Sequence, residues 1–234
     1  MTKKILHRFI ILCFLASLSY TSAATSLYVF FPTEVRPKIL QKKFTKLCPN
    51  IDTIVFGRIN DYLKQLKIAP PEAIISLPPV IEKKPEYKTL FQGQRNGSIN
   101  EKYVLVSINE AIKTSNLASI KIGVIDILGR KPMTSYVSKL LGSSVKIKRV
   151  TKTEDLLPLL TFNIVQAVFI SESVYKKLKQ TSKQNLISTN IKIKLDMISV
   201  ATKTHNNTTN LNISQCINHL DNTTNEILGV DQWK

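Results

Sequence analysis

From Ser119 to Arg130 the chain reads Ser-Ile-Lys-Ile-Gly-Val-Ile-Asp-Ile-Leu-Gly-Arg. No charge falls between Lys121 and Asp126, and an apolar run without alternation marks a strand buried on both faces. Gly129 closes the run. Met133, Tyr136, Val137, Leu140 and Leu141 then recur at i, i+3, i+4, i+7 and i+8, the stripe of a helix packed on a sheet. A buried strand that passes directly into an amphipathic helix opens a βα unit. The decisive point is that the chain has already built such a series once, from its beginning, and starts it again here.

The earlier series opens with a strand over residues 26–31, rich in aromatic and β-branched side chains. Thr33 is placed to cap a helix with Glu34 in its first turn. That helix buries Leu40, Phe44 and Leu47 and stops at Pro49. Residues 51–56 form a second strand closed by Gly57. Residues 58–66 form a helix with Ile59, Tyr62, Leu63 and Leu66 on one stripe, and residues 73–76 form a short strand broken by Pro78-Pro79. Residues 82–100 are polar with weak periodicity. Residues 102–108 read as a strand and 109–115 as a short helix or linker.

After the restart, residues 145–150 read as a strand, and Thr153 caps a helix over 154–160 with acids in its first turn. Residues 166–170 form a buried strand, and Ser171 starts a helix running to Leu178. A long alternating strand covers 192–201, an Asn/Thr-rich turn follows at 205–210, and a last helix carries Ile213, Ile217 and Leu220. Strands separated by helices imply an α/β fold of mostly parallel sheets flanked by helices. The restart implies two lobes. Lobe one takes residues 25–110 and 200–234, lobe two takes 111–199, and two crossings join them.

Composition narrows the setting. Residues 1–24 have a basic start, an apolar stretch too short to span a bilayer, and small residues before cleavage after Ala23 or Ala24, the pattern of a signal peptide. An exported, periplasmic product of about 210 residues is expected. Formal net charge is +17, but the lysines are dispersed and no nucleic-acid motif appears, so no nucleic-acid partner is expected. Cys48 and Cys216 remain after cleavage. They are either a disulfide, favoured by an oxidising compartment, or two buried thiols, since Cys216 shares a stripe with Ile213, Ile217 and Leu220. Nucleophile–base pairs, metal spacings and phosphate-binding glycine loops are missing, so neither an enzyme nor a cofactor is expected.

The order of elements resembles type II periplasmic solute-binding proteins, and the phosphate/phosphonate-binding branch in particular. Residues 89–97, Thr-Leu-Phe-Gln-Gly-Gln-Arg-Asn-Gly, running into 102–107, look like that branch's segment entering the crossing. Residues 120–130 look like its first strand of lobe two, 153–157 with 166–170 like its next helix–strand unit, and 227–233 like its terminal turn. The resemblance covers nearly all of 25–233 as an order of elements. It departs at 127–132, where that branch carries Ser and Thr to cradle an anion and this chain offers no hydroxyl before Thr134. It implies a monomer that traps a small-molecule ligand for a membrane permease of the ABC type or for a sensor. The ligand would be a phosphate- or phosphonate-like anion or a partly apolar solute. A ligand-sensing or partner-recognition protein without a transport role is the alternative.

In such a fold the ligand lies beyond the C-terminal ends of the strands. This selects Phe31, Thr33, Glu34, Arg58, Ser76 and Leu77 from lobe one. From lobe two it selects Asp126, Leu128, Gly129, Arg130, Ser171 and Glu172. Arg58 and Arg130 are the expected anion receptors, because a guanidinium meets carboxylate or phosphate bidentately. Each choice has a plainer reading: Thr33 as a cap, Phe31 as core, Gly129 as a turn, Arg58 as a solvated residue, Arg130 as a partner of Asp126 or Glu172. Hinges are expected near 107–116 and 202–210.

Overall fold

Two mixed sheets, each covered by helices, organise the chain. The computed structural model describes residues 25–203 and 207–234; the expected signal peptide and His205 lie outside the described residues. The first sheet begins with β1 (Thr25–Phe30), helix α1 (Pro37–Leu47), β2 (Ile51–Phe56), α2 (Ile59–Ile68), β3 (Ala73–Ser76), a single turn α3 (Pro78–Ile81) and β4 (Tyr87–Gln94). The second holds β5 (Asn100–Ile108), β6 (Lys121–Ile125), α4 (Arg130–Leu141), β7 (Lys146–Val150), α5 (Leu156–Thr161), β8 (Ala167–Ser171), α6 (Glu172–Thr181) and β9 (Leu186–Asp196). The chain returns to the first sheet with β10 (Ser199–Lys203), α7 (Asn207–Asn218), α8 (Asn222–Leu228) and β11 (Gln232–Trp233).

Strand order is β11-β4-β10-β3-β1-β2 in the first sheet and β7-β6-β8-β5-β9 in the second. β1 is parallel to β2 and β3, and β6 is parallel to β7 and β8, as expected for βα units. β10, β11, β5 and β9 add antiparallel pairs, so both sheets are mixed. Buried Leu40 and Phe44 fix α1, and Ile59, Tyr62 and Leu66 fix α2, each spaced to put one stripe on the sheet. Gly123 shows how closely the layers meet in lobe two: a β-carbon there would fall 2.9 Å from Val168 Cγ1.

Several expectations need correction. Residues 100–108 belong to lobe two, because β5 pairs with β8 and β9, aligning Leu105 with Phe169 and Ser107 with Ile187. The lobe boundary therefore falls between Gln94 and Asn100, not near residue 110. Residues 82–100 contain β4, which the polar composition hides. The strand expected over 192–201 is two strands in different sheets, parted at Met197-Ile198. Residues 207–210, expected in a turn, open α7. Thr33 does not cap α1, which starts at Pro37; its hydroxyl accepts from the N–H of Val35 at 3.2 Å instead. Thr153 starts a short 3-10 turn (Thr153–Asp155) without a side-chain cap. Ser171 does cap α6, accepting from the N–H of Val174 at 3.4 Å.

The crossings are short and bonded to one another. Arg95 and Ser98 exchange backbone hydrogen bonds of 2.9 and 3.0 Å around Asn96-Gly97, both in the left-handed region, which makes a tight hairpin. The second crossing lies beside it: Met197 N–H donates to Ile99 O at 2.8 Å, and Gly93 N–H donates to Ile198 O at 2.9 Å. The crossings, where hinges are expected, therefore lie at 95–99 and 197–198, not near 107–116 and 202–210.

Cys48 and Cys216 form a disulfide with Cα atoms 5.1 Å apart, joining the end of α1 to α7. The bridge sits in the apolar cluster of Leu40, Phe44, Ile213 and Ile217. A second cluster runs from Tyr28, Phe30 and Tyr62 of lobe one to Leu105, Ile122 and Met133 of lobe two, so the lobes share apolar surface.

Candidate functional site

A cavity of about 290 Å³ opens between the lobes. Lobe one supplies the β1–α1 loop from Phe31 to Val35, Leu77, and the end of α8 from Glu226 to Gly229. The crossings supply Arg95 and Asp196–Ile198. Lobe two supplies Glu101, Tyr103, Met133, Tyr136, Thr153, Phe169, Ser171, Ser173 and Lys177 among others. These are strand ends and helix starts, where this fold class places its ligands.

Of the residues expected at the site, Phe31, Thr33, Glu34, Leu77 and Ser171 line this cavity. The others stand elsewhere. Ser76 is fully buried and donates to Phe30 O at 2.7 Å, tying β3 to β1. Leu128 is core. Gly129, at φ 82°, makes the turn before α4. Arg58 and Arg130 begin helices α2 and α4 as exposed residues outside the lining, so neither expected anion receptor faces the cavity. Asp126 is buried; its Oδ1 accepts from the N–H of Gly129 at 2.7 Å, and its other oxygen binds Arg149 rather than Arg130. Glu172 pairs with Lys176 one turn on, at 3.2 Å.

Two cationic groups line the cavity, Lys177 of α6 and Arg95 on the first crossing; the latter is the arginine the site does offer. Its guanidinium lies 3.4 Å from Glu101 Oε1. It also covers Gly229, where a β-carbon would come within 2.8 Å of it. Carboxylates outnumber cations here: Glu34, Glu101, Asp196 and Glu226 stand against Arg95 and Lys177. In a chain with 33 basic and 16 acidic side chains, that inversion marks the cavity off from the rest of the surface. Glu34, Asp196 and Glu226 are exposed at the rim and Glu101 is half-buried.

Aromatic rings form the walls. Tyr103 and Phe169 lie 5.1 Å apart between centroids. Burial pushes the Tyr136 phenol up to about 12, with Glu82 and Asp196 adding to the effect. Burial raises Tyr103 as well, reinforced by Glu101 and Tyr136. Both phenols therefore stay protonated and available as donors. The start of α6 also faces the cavity, with the hydroxyls of Ser171 and Ser173 3.1 Å apart. A helix N-terminus with two hydroxyls receives an anionic oxygen. The hydroxyls missing from 127–132 thus stand two βα units later, at the end of β8.

The surroundings match a known architecture. The chain has the two-lobed periplasmic-binding-protein fold. No family model matches the sequence, and no curated protein does. Solved structures with this fold include the substrate-binding protein of an amino acid ABC transporter, at 13% identity and TM-score 0.58, covering 87% of this chain and 97% of that one. XAC2383 from Xanthomonas citri bound to ATP aligns at 7% identity and TM-score 0.66, covering 90% of each chain. An ancestral arginine-binding protein bound to arginine aligns at 16% identity and TM-score 0.57, covering 88% and 97%. At such identities the binding-protein fold is what is shared.

Arg95 and the acids of the crossings escaped sequence reasoning because the crossings were placed too late in the chain. One signal was present: Arg95 directly precedes Asn96-Gly97, a strong hairpin mark. The Glu226–Gly229 wall carried no comparable signal, since only the fold of α8 brings it back to the cleft.

Proposed function

We propose that this protein captures a small, amino-acid-like solute carrying at least one positive charge and releases it unchanged. The observation that carries the reading is the charge inversion in the cleft. Glu34, Glu101, Asp196 and Glu226 attract an ammonium or guanidinium group, while Arg95 and the hydroxyl-bearing start of α6 receive a carboxylate. Tyr103, Tyr136, Phe169 and Phe31 sandwich the apolar part between them. A cavity of about 290 Å³ suits a solute of amino-acid size. The substrate-binding protein of an amino acid ABC transporter and an arginine-binding protein bound to arginine, both similar in fold, support the same class. A phosphate or phosphonate dianion, the alternative drawn from the sequence, would meet three carboxylates at the solvent-exposed rim and an arginine already paired with Glu101.

The reading extends to an exported protein that presents its loaded form to an ABC-type permease, the transport role resting on the fold and on the signal-like residues 1–24. A thermal-shift series tests it, since a ligand that binds the folded state raises the melting point. Arginine, lysine, ornithine, neutral amino acids, phosphate and alkylphosphonates are compared at equal concentration. Stabilisation by a basic or zwitterionic amino compound is expected. Stabilisation by phosphate or a phosphonate alone overturns the ligand class, and no stabilisation by any compound favours partner recognition. Recovery of the chemically altered compound after incubation would overturn the non-enzymatic part.

A further inference from the structure

The end of lobe two opposite the cleft carries a second, unrelated surface. There the chain leaves α5 through Phe162-Asn163-Ile164, with Asn163 in the left-handed region at φ 51°. The turn is held by Asn163 N–H on Leu160 O and Ile164 N–H on Leu159 O. It holds two large apolar side chains in water: Phe162 is 74% exposed and Ile164 42%. Adjacent large apolar groups left out of a core mark a contact surface.

Lysines surround this tip. Lys121 starts β6 and lies opposite Lys146, which starts β7. Lys121 is tied to the tip by hydrogen bonds with Gln166 in both directions, at 2.9 and 3.0 Å. Lys113 lines a shallow depression of about 460 Å³ together with Glu110, Asn116, Asn163 and Gln166. Lys183 precedes Asn185, whose carbonyl accepts from Asn109 at the same end of the sheet. All four lysines are exposed, and none has an acidic partner within salt-bridge distance among the described residues. Gln166 uses its side-chain oxygen to accept from Lys121, which leaves its amide N–H₂ free to donate into the depression.

We propose that this end of lobe two docks on an anionic phospholipid bilayer. Phe162 and Ile164 enter the interface, the four lysines face the lipid phosphates, and the polar depression beside Asn163 and Gln166 takes a headgroup. An aromatic and an aliphatic side chain within a basic ring combine the two terms that hold peripheral proteins on membranes, apolar insertion and attraction to anionic lipid. The cleft lies at the other end of strands five residues long, about 17 Å away at 3.3 Å per residue, so docking leaves it open.

Vesicle flotation of the purified protein tests this, using phosphatidylcholine alone and with phosphatidylglycerol at a 7:3 ratio. Binding is expected only to the anionic vesicles, falling steeply between 50 and 500 mM salt, conditions that shorten the screening length from about 14 to about 4 Å. The double variant Phe162→Ala/Ile164→Ala should lower partitioning about tenfold. Lys121→Gln/Lys146→Gln should also lower it about tenfold or more. Lys192→Gln/Lys194→Gln removes the same charge from exposed residues of β9 and should leave binding within twofold. The proposal is overturned by equal binding to neutral vesicles, by no binding at all, or by equal losses in the two lysine pairs, which would mean diffuse basicity. Concentration-dependent dimerisation abolished by the Phe162/Ile164 change would assign the tip to a second copy instead.

Discussion

Asp126 divides its carboxylate between the guanidinium of Arg149 and the backbone N–H of Gly129. The contact holds β7 against the loop that leads into α4. Asp126 is 8% exposed and Arg149 28%, so the pair is only partly desolvated. Asp126→Asn should cost about 1–3 kcal/mol, below the figure for a fully buried pair because Arg149 can be solvated. In a domain of this size that lowers the melting point by about 2–4 °C per kcal/mol, readable by calorimetry. Ligand affinity should hold, since Asp126 is outside the cavity lining.

Gly229 should resist substitution for two reasons. Its φ of 78° suits glycine, and a β-carbon would press on the Arg95 guanidinium at 2.8 Å. Gly229→Ala should cost about 1–2 kcal/mol through the left-handed backbone. It should also weaken ligand binding by displacing Arg95, as titration calorimetry would register. Unchanged affinity would remove Arg95 from the recognition site.

Ser171 and Ser173 separate stability from recognition. Ser171→Ala removes the cap on α6 and should cost about 1 kcal/mol in urea unfolding. Ser173→Ala leaves the cap in place and should leave the urea midpoint near that of the parent. Both should lower affinity about tenfold if the start of α6 receives the ligand's carboxylate.

The buried tyrosines set an alkaline limit. Tyr136 is raised from 10.0 to about 12, and burial raises Tyr62, Tyr87 and Tyr103 in the same direction. The unfolded chain releases these protons near pH 10, whereas the folded chain retains them. Above pH 10 the unfolded state therefore binds fewer protons, and stability falls as pH rises toward 12. Below pH 10 these groups contribute no slope. Urea midpoints at pH 8, 9.5 and 11 should be level and then drop, and Tyr136→Phe should reduce the drop.

Replacing Cys48 and Cys216 together by serine should cost about 2–5 kcal/mol, because the bridge closes a loop of 168 residues in sequence. Dithiothreitol should lower the parent's melting point and leave the variant's unchanged.

Burial governed how much of this molecule could be read from its sequence. β1, β3, β6 and β8 are largely buried strands, and their apolar runs announce them. Helices α1, α2 and α4 show clean stripes. β4 does not: of its three buried residues two are Gly93 and Gln94, and Lys88, Thr89 and Gln92 dilute the pattern further. The lobe boundary was misplaced because β5 finds its partners in β8 and β9, some sixty to ninety residues later, and periodicity carries no information on pairing. The expectation of residues at the cleft-side strand ends places Phe31, Thr33 and Ser171 on the cavity lining. It failed for Arg58 and Arg130, since a helix's first residue can point to solvent as readily as into a cleft. It failed for Asp126 because its partner, Arg149, comes from the neighbouring strand.

The Cys48–Cys216 bond closes only after the chain has left lobe one, built all of lobe two, and come back. Lobe two is thus threaded into a covalent ring whose clasp lies wholly in the other lobe. The clasp does not tie one lobe to the other. A single protease cut anywhere in lobe two opens the ring without releasing a fragment, so the nicked protein should migrate as one species until it is reduced.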